Sequence, residues 1–205
     1  MRMTRTLSAS LLALALAACT TNTPLSSTST DAPRSLAGAV SAADPRAQAA
    51  GEEMLARGGS APDAAIAVML ALGVVEPQSS GIGGGGFMVR GTADGSVGTF
   101  DGRETAPASA TPDWFLDENG QLPPFIESVR SGLSVGVPGN IALAAKAHAA
   151  YGKLPWASLF EPAIKLARQG FEMNPRLNGM LESARNRSAH SAEARNIFFD
   201  AEGQP

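Results

Sequence analysis

Cysteine is almost absent from this sequence of 205 residues, and its scarcity excludes two kinds of stabilising site. Cys19 is the single cysteine, so the chain cannot form an internal disulfide, and a cysteine-rich zinc site would lack its ligands. Histidine is nearly as scarce. His148 and His190 lie far apart in the sequence, and we interpret both as surface or hydrogen-bonded helix histidines. No metal or other cofactor is implied.

Basic residues are also few, since 16 Lys and Arg stand against 19 Asp and Glu and leave a formal net charge of −3. A domain that binds nucleic acid usually carries a clustered basic face, so we expect no nucleic-acid partner. Aromatic residues make up only 5% of the chain, whereas hydrophobic residues make up 44%. This composition is typical of a globular domain, and it favours helices that pack through small residues.

The apolar run at the start of the chain is shorter than the roughly 20 residues that span a bilayer. Leu7–Ala18 follows two arginines and ends in small residues, which is the pattern of a secretory signal peptide. Its end, Leu16-Ala-Ala-Cys19, resembles the bacterial lipobox, in which the cysteine becomes the acylated N-terminus. We therefore predict a lipoprotein signal peptide over 1–18, lipidation of Cys19, and an exported, membrane-anchored protein that faces the periplasm or the cell exterior. The alternative is an ordinary signal peptide cut after Ala18.

Ser, Thr and Pro dominate the next segment, 19–36. Such a segment cannot bury enough apolar surface to offset the entropy lost on ordering, so we predict a flexible tether. The folded domain is then expected over 37–205. Its last residues, 196–205, have the pattern of a new strand and turn, so we expect the domain to be incomplete.

Helix signals surround one hairpin signal in the folded region. Asp44-Pro45 begins a helix that Gly58-Gly59 ends. Ser60 and Asp63 predict a capping box before an apolar helix that stops at Glu76-Pro77, and a helix without a polar face is a buried one. The pattern indicates an α+β fold with layered packing. The other expected elements are a short strand or lead-in at 38–42, a hairpin of strands 87–90 and 97–101 around Asp94-Gly95, a turn-rich segment at 107–124, and helices at 140–151, about 155–168, and 174–187.

Four consecutive glycines, Gly83–Gly86, lie in a loop between the apolar helix and the first strand. Glycine loses more backbone entropy on folding than any other residue, so such a run serves a path that needs positive φ or a group that approaches the backbone closely. No Gly-Lys-Ser/Thr follows, which excludes a P-loop, and the loop leads into a strand rather than a helix, which excludes a dinucleotide fingerprint. Two interpretations stay open: a tight connection between helix and sheet, or the wall of a ligand site.

Arg103 stands between two acids at the end of the second predicted strand, in Asp101-Gly102-Arg103-Glu104. Such an arginine is often a solvated ion-pair residue worth at most about 1 kcal/mol. The alternative is an arginine whose fork grips a carboxylate through two parallel hydrogen bonds, with Gly102 letting a substrate pass close to the backbone. The residues alone leave both interpretations open.

The region from Gly38 to Pro205 resembles the γ-glutamyltranspeptidase family. Each shared motif is short, but the set occurs in the family's order, which makes the resemblance specific. The segments that carry it are Gly59-Ser-Ala-Pro-Asp-Ala-Ala-Ile-Ala-Val, Glu76-Pro-Gln, Gly81-Ile-Gly-Gly-Gly-Gly-Phe-Met-Val, Asp101-Gly-Arg-Glu-Thr-Ala-Pro-Ala, Ser134-Val-Gly-Val-Pro-Gly, Tyr151-Gly-Lys-Leu-Pro-Trp and Glu161-Pro-Ala-Ile-Lys-Leu-Ala-Arg-Gln-Gly-Phe.

The resemblance implies an N-terminal-nucleophile hydrolase, an αββα sandwich of which this chain would hold only the first portion of the large subunit. It implies a self-cleaving precursor whose small subunit begins with a Thr that attacks the γ-glutamyl amide of glutathione, with its own amine as base. The acyl-enzyme then passes the glutamyl group to water or an amino acid. Arg103 occupies the family's position for binding the α-carboxylate of the substrate. Because the nucleophile belongs to the small subunit, we expect no catalytic residue in this chain and no activity of the chain alone.

Two alternatives to a γ-glutamyl enzyme stay open. One is a family relative with another acyl substrate, such as a cephalosporin-type acylase or a polyglutamate depolymerase, and Arg103 only weakly favours a glutamyl carboxylate over these. The other is a non-catalytic lipoprotein. Against it stands the apolar helix over 64–75, which would lack cover if half of the sandwich were missing.

Overall fold

The computed structural model of the chain describes residues 38–185 and 189–205. The predicted signal peptide, Cys19 and the tether lie outside these ranges. Seven helices and one hairpin make up the described part. Their order is α1 (Pro45–Ala56), α2 (Ala61–Val75), β1 (Gly86–Gly91), β2 (Val97–Gly102), α3 (Phe125–Arg130), α4 (Asn140–Tyr151), α5 (Glu161–Gln169), α6 (Pro175–Ser183) and α7 (Ala192–Phe198). None of the helices in the described part is both long and apolar enough to cross a membrane.

Helix α1 begins as the sequence predicts, because Asp44 caps it and Pro45 takes the first helical position. The Asp44 carboxylate accepts hydrogen bonds from the backbone N–H and the guanidinium of Arg46, and from the side-chain amide of Asn174 ahead of α6. The hydrogen bond from Arg46 is the largest cause that lowers the pKa of Asp44 to about 2. The helix ends before Gly58, whose φ of 84° favours glycine.

Helix α2 packs against α1, α4 and α5 and forms the centre of the core. Ile66, Ala67 and Ala71 are fully buried along it, so the prediction of a buried apolar helix is confirmed. It ends at Glu76, whose buried carboxylate pairs with Arg176 on α6. This ion pair ties the end of α2 to the later helices.

The predicted capping box at the start of α2 is present and extends further than expected. Ser60 Oγ accepts from the backbone N–H of Asp63, and Asp63 Oδ2 accepts from the backbone N–H of Ser60. The same carboxylate oxygen also accepts from the backbone N–H groups of Lys153 and Leu154, at 2.9 and 3.3 Å. Burial raises the pKa of Asp63, but these hydrogen bonds outweigh it, and the pKa lies below its ordinary value. His148 on α4 completes the cluster, with Nε2 2.8 Å from the Leu154 carbonyl oxygen.

The hairpin matches the predicted strands, with antiparallel register from Gly86 opposite Gly102 to Gly91 opposite Val97. Gly95 in its turn has φ of 84°, as an Asp-Gly hairpin turn requires. One face of the hairpin packs on α4, where Phe100 meets Tyr151 edge-on and Arg90 lies over the same ring. The opposite face exposes Phe87 and Val89.

Residues 38–42 are the lead-in to α1 and not a strand, so the second of the two alternatives holds. Three expectations about elements were wrong in type or extent. Residues 155–168 are a 3₁₀ turn (Trp156–Phe160) followed by α5 rather than one helix. Helix α6 ends at Ser183, short of the predicted 187. The C-terminal segment was expected to be a strand, but Ser191 caps a short helix, α7, there, because its hydroxyl accepts from the backbone N–H of Ala194.

Candidate functional site

Arg103 is the first residue after β2, and its side chain is 69% exposed. Its backbone N–H donates to Asp101 Oδ1 at 2.9 Å. Asp101 therefore stabilises the backbone of the turn rather than the position of the guanidinium. The side-chain Nε lies 3.5 Å from Glu104 Oε2. Glu104 is thus the acid that faces the guanidinium, and the outer end of the Arg103 fork stays open to a carboxylate.

The Arg103 turn is held from below by α4 and by the residues that lead into it. A Cβ on Gly102 would lie 2.5 Å from Leu143 Cβ, and a Cβ on Gly139 would lie 2.0 Å from the Gly102 carbonyl oxygen. Both positions therefore require glycine. The sequence suggested that Gly102 lets a substrate pass close to the backbone. In the structure, the group that lies close to Gly102 is helix α4.

The segment before α4 also wraps around Glu104. Thr105 and Val137 exchange two backbone hydrogen bonds, at 2.9 and 3.4 Å. A Cβ on Gly136 would lie 3.0 Å from Glu104 Cβ. The motif Ser134-Val-Gly-Val-Pro-Gly, to which the sequence gave no structural role beyond the family resemblance, packs on the Arg103–Thr105 segment.

The glycine loop lies on the other side of Glu104. Positive φ does not explain the glycines of this loop, because every described glycine with positive φ lies elsewhere in the chain. Close approach explains Gly85, where a Cβ would lie 2.6 Å from the Glu104 backbone nitrogen, from Glu104 Oε2 and from the Gly102 carbonyl oxygen. Gly81 and Gly83 face open space. Close packing at Gly85 confirms the tight connection between helix and sheet. Gly81 and Gly83 border an open cavity, and the wall of a ligand site stays a prediction.

Two open cavities meet at Glu104. The larger, of about 760 Å³, is walled by the glycine loop, β1 and the start of α4. The second, of about 520 Å³, contains Arg103 together with Trp114 and Phe115 from the turn-rich segment. Glu104 lines both, and its Oε2 is buried without a hydrogen-bond partner among the described residues. The Arg103 fork and the glycine wall are thus neighbouring surfaces joined through one carboxylate.

Cys19 is the second predicted site residue. It lies outside the described ranges, so its lipidation stays a prediction. Within residues 38–185 and 189–205, no group of three or more His, Cys, Asp or Glu side chains is placed to hold a metal ion. Sequence reasoning missed Asn140, a buried residue on the cavity wall. The only signal for it was its position directly after the Ser134–Gly139 motif.

Known proteins match this chain over nearly its whole described part. The family model for Gamma-glutamyltranspeptidase matches residues 47–205. A Glutathione hydrolase proenzyme of Bacillus subtilis is 42% identical over 171 residues, which is 82% of this chain and 28% of that protein. The chain thus spans about a quarter of the length of this curated relative.

Solved structures agree with the sequence matches. The crystal structure of Helicobacter pylori gamma-glutamyltranspeptidase superposes with a TM-score of 0.75 at 37% identity, covering 82% of this chain and 48% of that one. A cephalosporin acylase from Bacillus halodurans superposes with a TM-score of 0.59 at 32% identity, covering 76% and 27% of the two chains. The expected α+β fold, part of an N-terminal-nucleophile hydrolase, is confirmed. The chain belongs to the gamma-glutamyltranspeptidase family.

Proposed function

We propose that the complete protein is a γ-glutamyltransferase or glutathione hydrolase precursor and that this chain is the first portion of its large subunit. Family membership supports this proposal, and so does the length of the relatives, since this chain spans only about a quarter of the one from Bacillus subtilis. The small subunit would supply the N-terminal Thr that attacks the γ-glutamyl amide. The glutamyl group would then pass to water or to an amino acid.

In this proposal Arg103 binds the α-carboxylate of the glutamyl group. The observation that carries it is the geometry of the turn after β2, where the Asp101 carboxylate accepts from the Arg103 backbone N–H and the Arg103 side chain is 69% exposed. An arginine fork and a carboxylate can form two parallel charge-assisted hydrogen bonds. Glu104 forms an ion pair with Nε at 3.5 Å, and the exposed terminal nitrogens of the guanidinium would bind the carboxylate.

The activity can be tested on the complete product of the gene. We expect it to cleave itself into two subunits and to release p-nitroaniline from a γ-glutamyl anilide. Addition of an acceptor amino acid separates transfer from hydrolysis, because only transfer forms a new γ-glutamyl amide. A product that cleaves itself but leaves the anilide intact would contradict the proposed substrate.

A second candidate function has one observation in its favour, the superposition on a cephalosporin acylase at 32% identity. An acylase of that type would hydrolyse a side-chain amide of a cephalosporin. The same purified protein should be offered both amides. Faster release from the cephalosporin would favour the acylase, whereas no release from either would favour a non-catalytic lipoprotein.

We also propose that Cys19 is acylated and anchors the exported protein to a membrane. The pattern Leu16-Ala-Ala-Cys19 at the end of an apolar run supports it. One acyl chain binds a membrane only marginally, whereas two or more bind stably, and a bacterial lipoprotein resembles the second case. Because Cys19→Ser would remove the site of acylation, it should move the protein from the membrane fraction to the soluble exported fraction. If both forms fractionate alike, the lipobox interpretation is wrong.

A further inference from the structure

Asn140 makes an unusual set of contacts for the first residue of a helix. The residue is 8% exposed, and its side-chain Nδ2 donates to the Gly81 carbonyl oxygen at 2.7 Å. Its backbone N–H and that of Gly139 both donate to the Gly84 carbonyl oxygen at 3.1 Å. Three hydrogen bonds thus join the start of α4 to a loop almost sixty residues earlier in the chain.

These bonds hold both ends of the open part of the glycine loop. Gly81 and Gly84 are the fixed points, and Gly83 between them faces open space. A loop of glycines has little intrinsic preference for one path, so its shape depends on such anchors. The Gly84 bonds come from the backbone. The Gly81 carbonyl also accepts from the Gly84 N–H at 3.2 Å within the loop, but its bond to α4 depends on the side-chain amide of residue 140.

The position of the loop matters for the Arg103 turn because the two are in direct contact. A Cβ on Gly85 would lie 2.6 Å from the Glu104 backbone nitrogen and Oε2. No room is left between loop and turn, and a shift of the loop would displace the Glu104 carboxylate. Glu104 in turn faces the Arg103 guanidinium at 3.5 Å.

We propose that Asn140 is a positioning residue that fixes the glycine loop against Glu104 and so sets the direction of the Arg103 fork. The proposal rests on the proposed function, in which Arg103 binds the substrate carboxylate. It gives the amide of residue 140 a role in substrate affinity beyond the stability of α4. Since a misplacement of about 1 Å in a binding group can cost about 100-fold in rate, the effect on kcat/KM should be measurable.

The test uses Asn140→Asp in the complete gene product. This substitution keeps the shape of the side chain but replaces the donor to Gly81 with an oxygen. An acid in the first turn of a helix favours the helix through its dipole, but a buried carboxylate opposite the Gly81 carbonyl is itself costly, so the folding of α4 is checked by circular dichroism and Asn140→Ser is measured beside it. Asn174→Ala is the matched control, because Asn174 is likewise a hydrogen-bonded asparagine at the start of a helix, with bonds to Asp44 and Leu177, and lines neither cavity.

We expect kcat/KM for a γ-glutamyl anilide to fall about tenfold or more in Asn140→Asp, mainly through KM, and to change less than twofold in Asn174→Ala. The double variant with Arg103→Lys separates positioning from general damage. If Asn140 acts through Arg103, the two losses combine to less than their product. The Asn174→Ala and Arg103→Lys effects should simply multiply.

The outcomes distinguish this proposal from the proposed function. If the wild-type protein releases no product, the proposed function fails. If the wild type is active and Asn140→Asp matches Asn174→Ala, or multiplies fully with Arg103→Lys, only the positioning role fails. Should Asn140→Asp not fold, Asn140→Ser removes the same contact without adding charge. Loss of folding in both would assign the residue to stability and overturn the proposal.

Discussion

Arg103 is the residue on which the proposed substrate preference depends. In the complete enzyme, Arg103→Lys keeps the positive charge but loses the planar fork, so it should not behave as a conservative change. Breaking a buried, hydrogen-bonded charge pair typically costs about 2–5 kcal/mol. We therefore expect kcat/KM for a γ-glutamyl substrate to fall at least about tenfold for Arg103→Lys, and further for Arg103→Ala.

Self-cleavage of the precursor should survive both changes at Arg103, because that step involves no external carboxylate. Steady-state kinetics and gel analysis of the subunits measure the two effects separately. Arg168→Lys, at an exposed position near the end of α5, is the matched control and should leave both unchanged. Normal kcat/KM in Arg103→Lys would make Arg103 a surface ion-pair residue.

Asp44 gives a prediction about acid stability. It is 1% exposed, and its pKa of about 2 lies below the ordinary value of 3.8. A lowered pKa means that the folded state favours the charged form, so the carboxylate stabilises the fold above pH 4. That stabilisation, about 2 kcal/mol for such a shift, is lost as the pH falls from 4 to 2.

The variant Asp44→Asn isolates this effect, because Asn is an equally good helix cap but carries no charge. At pH 7 the free energy of unfolding should be lower in Asp44→Asn by about 2 kcal/mol. Between pH 4 and pH 2 the difference should close. Urea unfolding across this range checks it, and parallel pH curves for the two proteins would show that the ion pair with Arg46 contributes nothing.

At the scale of single residues, the sequence predicted the caps of α1 and α2 but not their long-range contacts, and the role of Arg103 stays a prediction. Asp44, and Ser60 with Asp63 in the capping box, are visible because capping depends on neighbours in the sequence. Their bonds to Asn174, Lys153 and Leu154 are long-range and leave no local pattern. Asn140 was missed for the same reason, since its partner is the Gly81 carbonyl, far away in the sequence.

Helix α2 is the element on which the packing of the domain depends, and Asp63 is its attachment point. The buried carboxylate accepts from the backbone N–H groups of Ser60, Lys153 and Leu154. Asp63→Ala would leave these donors without their partner. A lost cap costs about 1 kcal/mol, and each buried donor left unpaired costs about 1–3 kcal/mol.

We therefore expect Asp63→Ala to lower the free energy of unfolding by about 3 kcal/mol or more. Ser60→Ala removes the cap alone and should cost about 1 kcal/mol. The difference between the two variants measures the tie to the segment after α4. Equal losses in chemical denaturation would show that the bonds to Lys153 and Leu154 contribute no stability.

At the scale of elements, the sequence predicted helices and strands correctly where local residues mark their start and end. It was wrong where such a mark was overlooked. Asp-Pro, Gly-Gly and Asp-Gly marked α1 and the hairpin correctly. At the C-terminus, the apolar Ile197 and Phe198 suggested a strand. Ser191 six residues earlier supplied a helix cap that the sequence analysis did not weigh.

The molecule as a whole should lack γ-glutamyl activity when only these 205 residues are present. Acyl transfer needs a nucleophile activated by a nearby base, and the family resemblance assigns that nucleophile to the small subunit. Purified chain should release no p-nitroaniline from a γ-glutamyl anilide beyond a heat-denatured control. Activity above that control would mean that this chain contains a nucleophile of its own.

The outer face of the hairpin carries the last prediction. Phe87, Val89 and Val97 are 66–69% exposed on one face, and the described residues add no further strand to this two-stranded sheet. A short sheet with two open edges and an apolar face tends to pair with other chains. We therefore expect the 205-residue chain to self-associate at micromolar concentration, which light scattering would detect. Val89→Lys should reduce the association, because it places a charge in the middle of that face, whereas Leu122→Lys, at an equally exposed loop position, should not. A wild-type chain that stays monomeric at 100-fold higher concentration would show that this apolar face does not drive self-association.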